Sequence, residues 1–347
     1  MSEVSLDLAD ARRRYERALA PEDFERLPFY AALLRRFQQD QLSLELLASV
    51  REEQRNPMLI LAVLQWHALS GHPVLGPLYD EVRSGRAFDP EAFAREVLAT
   101  LHRDLTLVSG QLWRATQTNE PGRSAVLQAV ISDLAQGHDV VNLVEVGCSA
   151  GINLHLDRFT VRESDDGEPL TLVCRDVTGP LDRELPAIAR RAGVDPNPLR
   201  LEDKEDQRWL KACLWPEDHR RHARLDAIVA AWHSWEPLDI YRGTAGERFE
   251  EALANLSDAL TIVVNTWVLF YLSSEERRTF LEAAHNAARR GGVATVSVET
   301  KQVEIPGFQT QRRAHERGAS RIVVAREFSS PELWGWCHPH GRWLERA

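Results

Sequence analysis

The sequence predicts an α/β protein: a Rossmann-like parallel sheet with helices on both faces, preceded by an all-helical N-terminal region. Three observations carry this expectation. A short valine-rich run, 141–146, passes through the small residues 147–151 into Ile152, Leu154 and Leu156, which reads as a buried strand, a tight turn and the start of a helix. From Val141 to Val298 strand-like and helix-like segments alternate, as they do when parallel strands are joined by crossover helices. Upstream of residue 118 the apolar residues recur at helical spacing instead.

The expected boundaries are a helical cap domain over 1–117 and the α/β domain over 118–347. In the first, Leu27, Tyr30, Ala31, Leu34 and Phe37 form one apolar stripe, and 42–50 continues in the same style. Asn56-Pro57 supplies a cap and a proline at the first helical position for a helix over 58–69, closed by Gly71 and Pro73. Asp89-Pro90 repeats the signal for a long helix from Glu91 to about Thr116. Such a region serves either as a lid or as a packing layer, and His67 and His72 read as ordinary helix and turn residues.

The polar loop 117–124 precedes a helix over 125–134 that Ser124 is placed to cap. After the glycine turn, alternation on both sides of an acidic turn predicts an inserted hairpin over 156–176. The second core strand ends at Gly193-Val194-Asp195, and two charged helices follow, broken at Trp215-Pro216-Glu217. Weak strand signals lie at 226–232 and 237–241, and a strong β-branched one at 260–267. Ser273 and Glu276 have the spacing of a capping box, Gly291-Gly292 ends that helix, and 293–298 is the next strand. The tail, 321–326 with 334–344, predicts a closing hairpin. Ligands on such sheets bind beyond the carboxyl ends of the strands, which brings Asn265, Thr266 and Glu299 near the site.

Composition narrows the function classes. Of 347 residues 44% are hydrophobic and 27% charged, as in a globular protein with a sizeable core. The net charge of −10 argues against a surface built to neutralise phosphates, so no nucleic-acid partner is expected. No apolar run approaches membrane-spanning length and the first residues lack a leader pattern, so no membrane partner is expected and the expected location is the cytoplasm. The four cysteines show no C-x-x-C pair, and Cys337, His338 and His340 are too few to read as a metal site.

The central turn bears on the ligand class through its glycine spacing. G-x-G-x-x-G would mark a dinucleotide and G-K-[ST] a phosphate-cradling loop; the chain has neither. It has Glu145-x-Gly147-x-x-x-Gly151, which resembles motif I of class I S-adenosylmethionine-dependent methyltransferases. That resemblance implies that Glu145 faces the amino-acid part of the cofactor, that Gly147 and Gly151 make room for it, and that Cys148 and Ser149 lie along it. An acidic side chain at the end of the second strand accepts from ribose hydroxyls in such folds. Asp195 is the choice for that role, with Asp176 as the competitor.

Several segments together resemble one bacterial family, the domain of unknown function 2332: 118–124, 145–154 with 157–159, 193–199, 209–210 with 214–217, 271–277 and 338–345. The family looks like a helical region joined to a class I methyltransferase core, and the resemblance implies that Asn119, Glu120 and Arg123 belong to the site. Two positions depart from its pattern: Asn265 stands where a histidine is expected, and Gly243-Thr244 where Gly-Asp is expected.

The resulting expectation is an S-adenosylmethionine-dependent methyltransferase acting on a small molecule. Glu145, Gly147, Cys148, Ser149, Gly151, Asp195 and Asn119 would bind the cofactor; Asn265, Glu120 and Arg123 would serve the chemistry, with Trp232, Trp235 and Trp267 as pocket walls. Methyl transfer is an in-line displacement and needs positioning more than a strong base. The alternative is a methyltransferase-like fold that binds or regulates without catalysing; a nicotinamide-dependent oxidoreductase is disfavoured by the glycine spacing. The methyl acceptor and the oligomeric state are not specified by the residues.

Overall fold

The computed structural model describes residues 7–19, 26–179, 184–310, 314 and 318–347. The N-terminal stretch Met1 to Val4 lies outside the described residues. The helices, in chain order, are α1 (Leu8–Leu19), α2 (Pro28–Gln39), α3 (Gln41–Ser49), α4 (Pro57–Leu69), α5 (Leu75–Arg83), α6 (Pro90–Arg103), α7 (Thr106–Ser109), α8 (Arg123–Leu134), α9 (Lys204–Ala212), α10 (His219–Ala231), α11 (Ala245–Ala254) and α12 (Ser274–Arg290). The strands are β1 (Val140–Val146), β2 (Thr160–Arg162), β3 (Thr171–Val173), β4 (Arg175–Asp176), β5 (Ala187–Asp195), β6 (Asp239–Arg242), β7 (Leu260–Thr266), β8 (Val293–Thr300), β9 (Ser320–Ala325), β10 (Glu332–Cys337) and β11 (Trp343–Arg346).

The chain divides into two compact units, one of residues 1–118 with 201–229, the other of 119–200 with 230–347. The described elements of the first unit are helical. Asn56 caps α4 through its side chain, which accepts from Met58 N, and Asp89 caps α6 in the same way. Most of α4 is buried, and its one polar core residue, Gln65, is satisfied on both sides: it accepts from Tyr30 Oη at 2.8 Å and donates to the carbonyls of Lys211 and Leu214. Helix α6 ends at Arg103 rather than running to residue 116, because Asp104 leaves the helical conformation and accepts from Thr106 N to start α7.

The second unit is built on a nine-stranded sheet of order β4-β11-β10-β9-β8-β7-β1-β5-β6. Its central part, β6-β5-β1-β7-β8, is parallel throughout, and β9, β10 and β11 follow as an antiparallel meander on β8. The tail is therefore three strands, one more than a hairpin. The strand runs 141–146, 260–266 and 293–298 are central and almost wholly buried, as their β-branched composition requires. Val144, Val146, Val194 and Val263 pack against Phe249 of α11 and Phe280 of α12.

Local departures from the sequence expectation have local causes. Residues 152–158 form a 3-10 helix kinked at His155, with Ile152, Asn153, Leu154, His155 and Leu156 all buried, so no single apolar stripe sets an α-helix there. Strands β2 and β3 pair in parallel, not as a hairpin; between them Asp165 and Asp166 accept from Gly167 N and Glu168 N and fold the connection back. Segment 226–231 completes α10, and 232–234 is a 3-10 turn, where a strand had been expected. Ser124 lies inside α8 instead of capping it, and its hydroxyl donates to Asn153.

Candidate functional site

The parallel strands reverse their order at β1: β5 lies on one side and β7 on the other. In open α/β sheets this switch point, beyond the carboxyl ends of the strands, is where a crevice forms. The turn 147–151 leaves β1 at that place. Gly147, Ser149 and Gly151 have φ of +78°, +53° and +76°, conformations that glycine adopts freely and serine does not. The turn is stitched to β5: Gly147 N donates to Val194 O at 2.8 Å, and Ser149 N donates to Asp195 Oδ2 at 2.8 Å.

Asp195 is the last residue of β5 and is buried. Its other carboxylate oxygen accepts from Asn197 N at 2.7 Å, so each oxygen holds one backbone N–H and keeps a lone pair. Burial pushes its carboxyl up, against the two amides that favour the charged form. Cys148 is buried with its sulfur toward Gly193, where a Cβ would approach it to 2.6 Å. Asn119 braces the turn at both ends, donating to Cys148 O at 3.0 Å and accepting from Ile152 N at 3.1 Å.

Glu145 sits two residues before the turn and is 1% exposed. Its Oε1 accepts from Asn153 Nδ2 at 3.3 Å, and Asn153 Oδ1 accepts from Ser124 Oγ at 2.9 Å. Its Oε2 is buried with no partner among the described residues, as is the hydroxyl of Ser149. Burial pushes the Glu145 carboxyl up to about 8, with Asn153 and the charge of Arg123 opposing. Two unsatisfied acceptors beside one turn are unusual, since each costs about 1–3 kcal/mol when left without a donor.

A second polar cluster lies at the ends of β7 and β8. Register pairs Asn265 with Ser297 on one side and with Val146 on the other. Asn265 donates to Glu299 Oε1 at 3.1 Å and accepts from Ser297 Oγ at 2.7 Å. The same Glu299 oxygen accepts from Val268 N and Leu269 N, whereas Oε2 is buried without a partner, and burial pushes the carboxyl up to about 7. Arg123, at the start of α8, donates to Thr266 O and Pro339 O, and its guanidinium lies 5.7 Å from the Trp267 ring centroid. Trp267 has φ of +55°. The loop after β7 is thus held by Arg123 on Thr266 and by Glu299 on Val268 and Leu269. Glu120 accepts from Gly122 N through Oε1, and its Oε2 lies 3.3 Å from His340 Nδ1.

Asn119, Glu120, Arg123, Glu145, Asp195 and Asn265 thus lie at or beside strand ends of one sheet, mostly engaged with backbone groups. Trp232 and Trp235 pack on His155, with ring centroids 5.1 and 5.0 Å away. Sequence reasoning missed Asn153 and Ser124, whose signal was a polar residue inside an otherwise apolar run. It also missed Val268 and Leu238, which occupy the space beside Gly147 and Gly151: a Cβ on either glycine would approach them to 2.4 Å.

Among the described residues no helix is long and apolar enough to cross a membrane. No curated relative and no solved structure matches the chain. One family model does, described as an uncharacterized protein conserved in bacteria (DUF2332), and it covers residues 12–346. The chain belongs to that family.

Proposed function

We propose that the protein is an S-adenosylmethionine-dependent methyltransferase acting on a small molecule. The observation that carries this reading is the pair of buried, partnerless acceptors, Glu145 Oε2 and Ser149 Oγ, beside a glycine turn at the switch point of the sheet. A ligand with hydrogen-bond donors and positive charge satisfies both, and S-adenosylmethionine has both properties. The strand order from β6 to β8 and the acidic residue ending β5 agree with a Rossmann-like methyltransferase core.

The acceptor set suits the cofactor in chemistry. Glu145 and Ser149 would take the ammonium end, and Asp195 has one lone pair left on each oxygen for hydroxyl donors. When bound, the sulfonium supplies an electrophilic methyl group. The chain's own part is placement and exclusion of water. Asn119 fixes the turn, Arg123 and Glu299 fix the loop after β7, and Asn265 positions Glu299 with both ends of its amide in use.

The second reading, a methyltransferase-like module that binds or regulates without catalysing, has its own observation. Val268 and Leu238 fill the space beside the two glycines, and both Asp195 oxygens already hold amides. Equilibrium dialysis of labelled S-adenosylmethionine against wild type and Glu145→Gln tests whether the turn holds the cofactor at all, which the first reading requires. The substitution keeps the shape and an acceptor for Asn153 but cannot ionise opposite the ammonium, so the methyltransferase reading expects at least tenfold weaker retention, about 1.4 kcal/mol. Equal retention by both proteins contradicts a role for Glu145, and no retention by the wild type contradicts the reading.

A further inference from the structure

Beyond the carboxyl end of β8 the chain runs through residues 301–310. Together with the first turn of α12 and Arg321 of β9, these wall a groove of about 1360 Å³. Small-molecule sites usually enclose about 300–1,000 Å³, so there is room for a ligand of nucleotide size. The segment 271–277, part of the family pattern and unused by the site above, supplies Ser274 and Arg277 to this wall.

The charge of the groove departs from that of the chain. On a protein of net charge −10, four cationic side chains among the described residues line it, Arg277, Arg278, Lys301 and Arg321, against two carboxylates, Glu275 and Glu304. Two of the cations are fixed in place by neutral groups. Arg277 donates to Leu269 O at 2.9 Å and Leu272 O at 3.2 Å; Arg321 donates to Val303 O, and its guanidinium lies 5.5 Å from the Phe308 ring centroid. Carbonyls and a ring face hold a guanidinium without cancelling its charge.

Arg321 also keeps its Nε–H buried without an acceptor among the described residues. Its neighbour across the ladder, Glu299, acts on it through space but makes no hydrogen bond to it: Glu299 Oε1 accepts from Asn265, Val268 and Leu269, and burial pushes that carboxyl up to about 7, which weakens its claim on the guanidinium. Among the described residues Arg278 has a loose, exposed pair with Glu282 at 3.8 Å and no closer one, and Lys301 is exposed. The amino end of the 17-residue α12 adds its partial positive charge at Ser274.

We propose that this groove binds a small organic polyanion, carrying phosphate or several carboxylates, through Arg277, Arg278, Lys301 and Arg321. The inference stands without the methyltransferase reading; if that reading holds, the groove receives the anionic part of the methyl acceptor.

The test titrates inorganic pyrophosphate and, separately, citrate into the full chain, at an ionic strength matched with sodium chloride. Calorimetry and the melting temperature are the readouts. Saturable binding of either anion, weakened at least tenfold in Arg278→Glu/Lys301→Glu, is the expected result. Both substituted side chains are exposed, so the ligand-free melting temperature of this variant should stay near that of the wild type. Arg321→Gln should weaken binding as well. Pyrophosphate alone binding assigns the phosphate class, citrate alone the polycarboxylate class. No saturable binding of either anion, or binding that survives the double charge reversal, overturns the proposal. S-adenosylhomocysteine titrated into the same variant reports on the other site: loss of pyrophosphate binding with that affinity intact keeps the two readings apart.

Discussion

Glu145 carries a carboxyl group to a place that water does not reach. Its folded-state pKa of about 8 lies above the ordinary 4.5, so the folded chain holds the proton more tightly than the unfolded one. The stability this contributes is complete below about pH 4.5 and is lost as the pH climbs through 8. Glu299 and Glu217, each pushed up to about 7 chiefly by burial, add to the same decline. Urea unfolding at pH 7 and pH 9, above the range in which the buried His155, His222 and His285, each lowered to about 4, act in the opposite direction, should therefore show the wild type weaker at the higher pH. Glu145→Gln should remove part of that difference, on the order of 1 kcal/mol; an unchanged pH dependence would count against a buried, protonated Glu145. At this scale the sequence marked Glu145, the turn glycines and Asp195 as candidates, because each stands at or just beyond the end of a strand, β1 or β5, that a local run of residues announces. The chain of bonds from Ser124 through Asn153 to Glu145 was not legible, since it closes only when α8 meets the 3-10 turn.

At the scale of elements, the turn after β1 and the loop after β7 close on each other. A methyl group on Gly147 would meet Val268 Cγ2 at 2.4 Å and would also force an L-residue to φ of +78°. Gly147→Ala should cost more than about 2 kcal/mol, with the backbone share near 1–2. Adding Val268→Ala should recover only the part due to crowding, and full recovery in thermal melts would show that the backbone conformation contributes nothing. The central strands were legible because β-branched runs between turn signals admit one reading. The parallel pairing of β2 with β3 was not, since alternation in two short runs is the same for either direction. Segment 226–231 was misread for a related reason: a short apolar run fits strand or helix until its neighbours are known, and here it completes α10.

For the whole molecule, the two units are each assembled from segments distant in sequence. In the helical unit Glu217 accepts from Phe29 N at 2.6 Å and from Tyr30 N at 3.4 Å, capping α2 from almost two hundred residues away. Glu217→Ala should cost about 1–2 kcal/mol and lower the hydrogen-exchange protection of those two amides first; unchanged protection would mean that the cap is dispensable. No pattern in the sequence announces this return of residues 201–229 to the first unit, because the signal is a single carboxylate whose partner is a helix end. The alternation of strands and helices, by contrast, was enough to anticipate the mostly parallel sheet. The functional reading rests on what the end of that sheet binds, and the most direct measurement is calorimetric titration of S-adenosylhomocysteine into the wild-type protein at neutral pH. Saturable one-to-one binding at micromolar concentrations, about −8 kcal/mol, is the predicted result. An absence of binding up to millimolar ligand, with the protein folded, would contradict it.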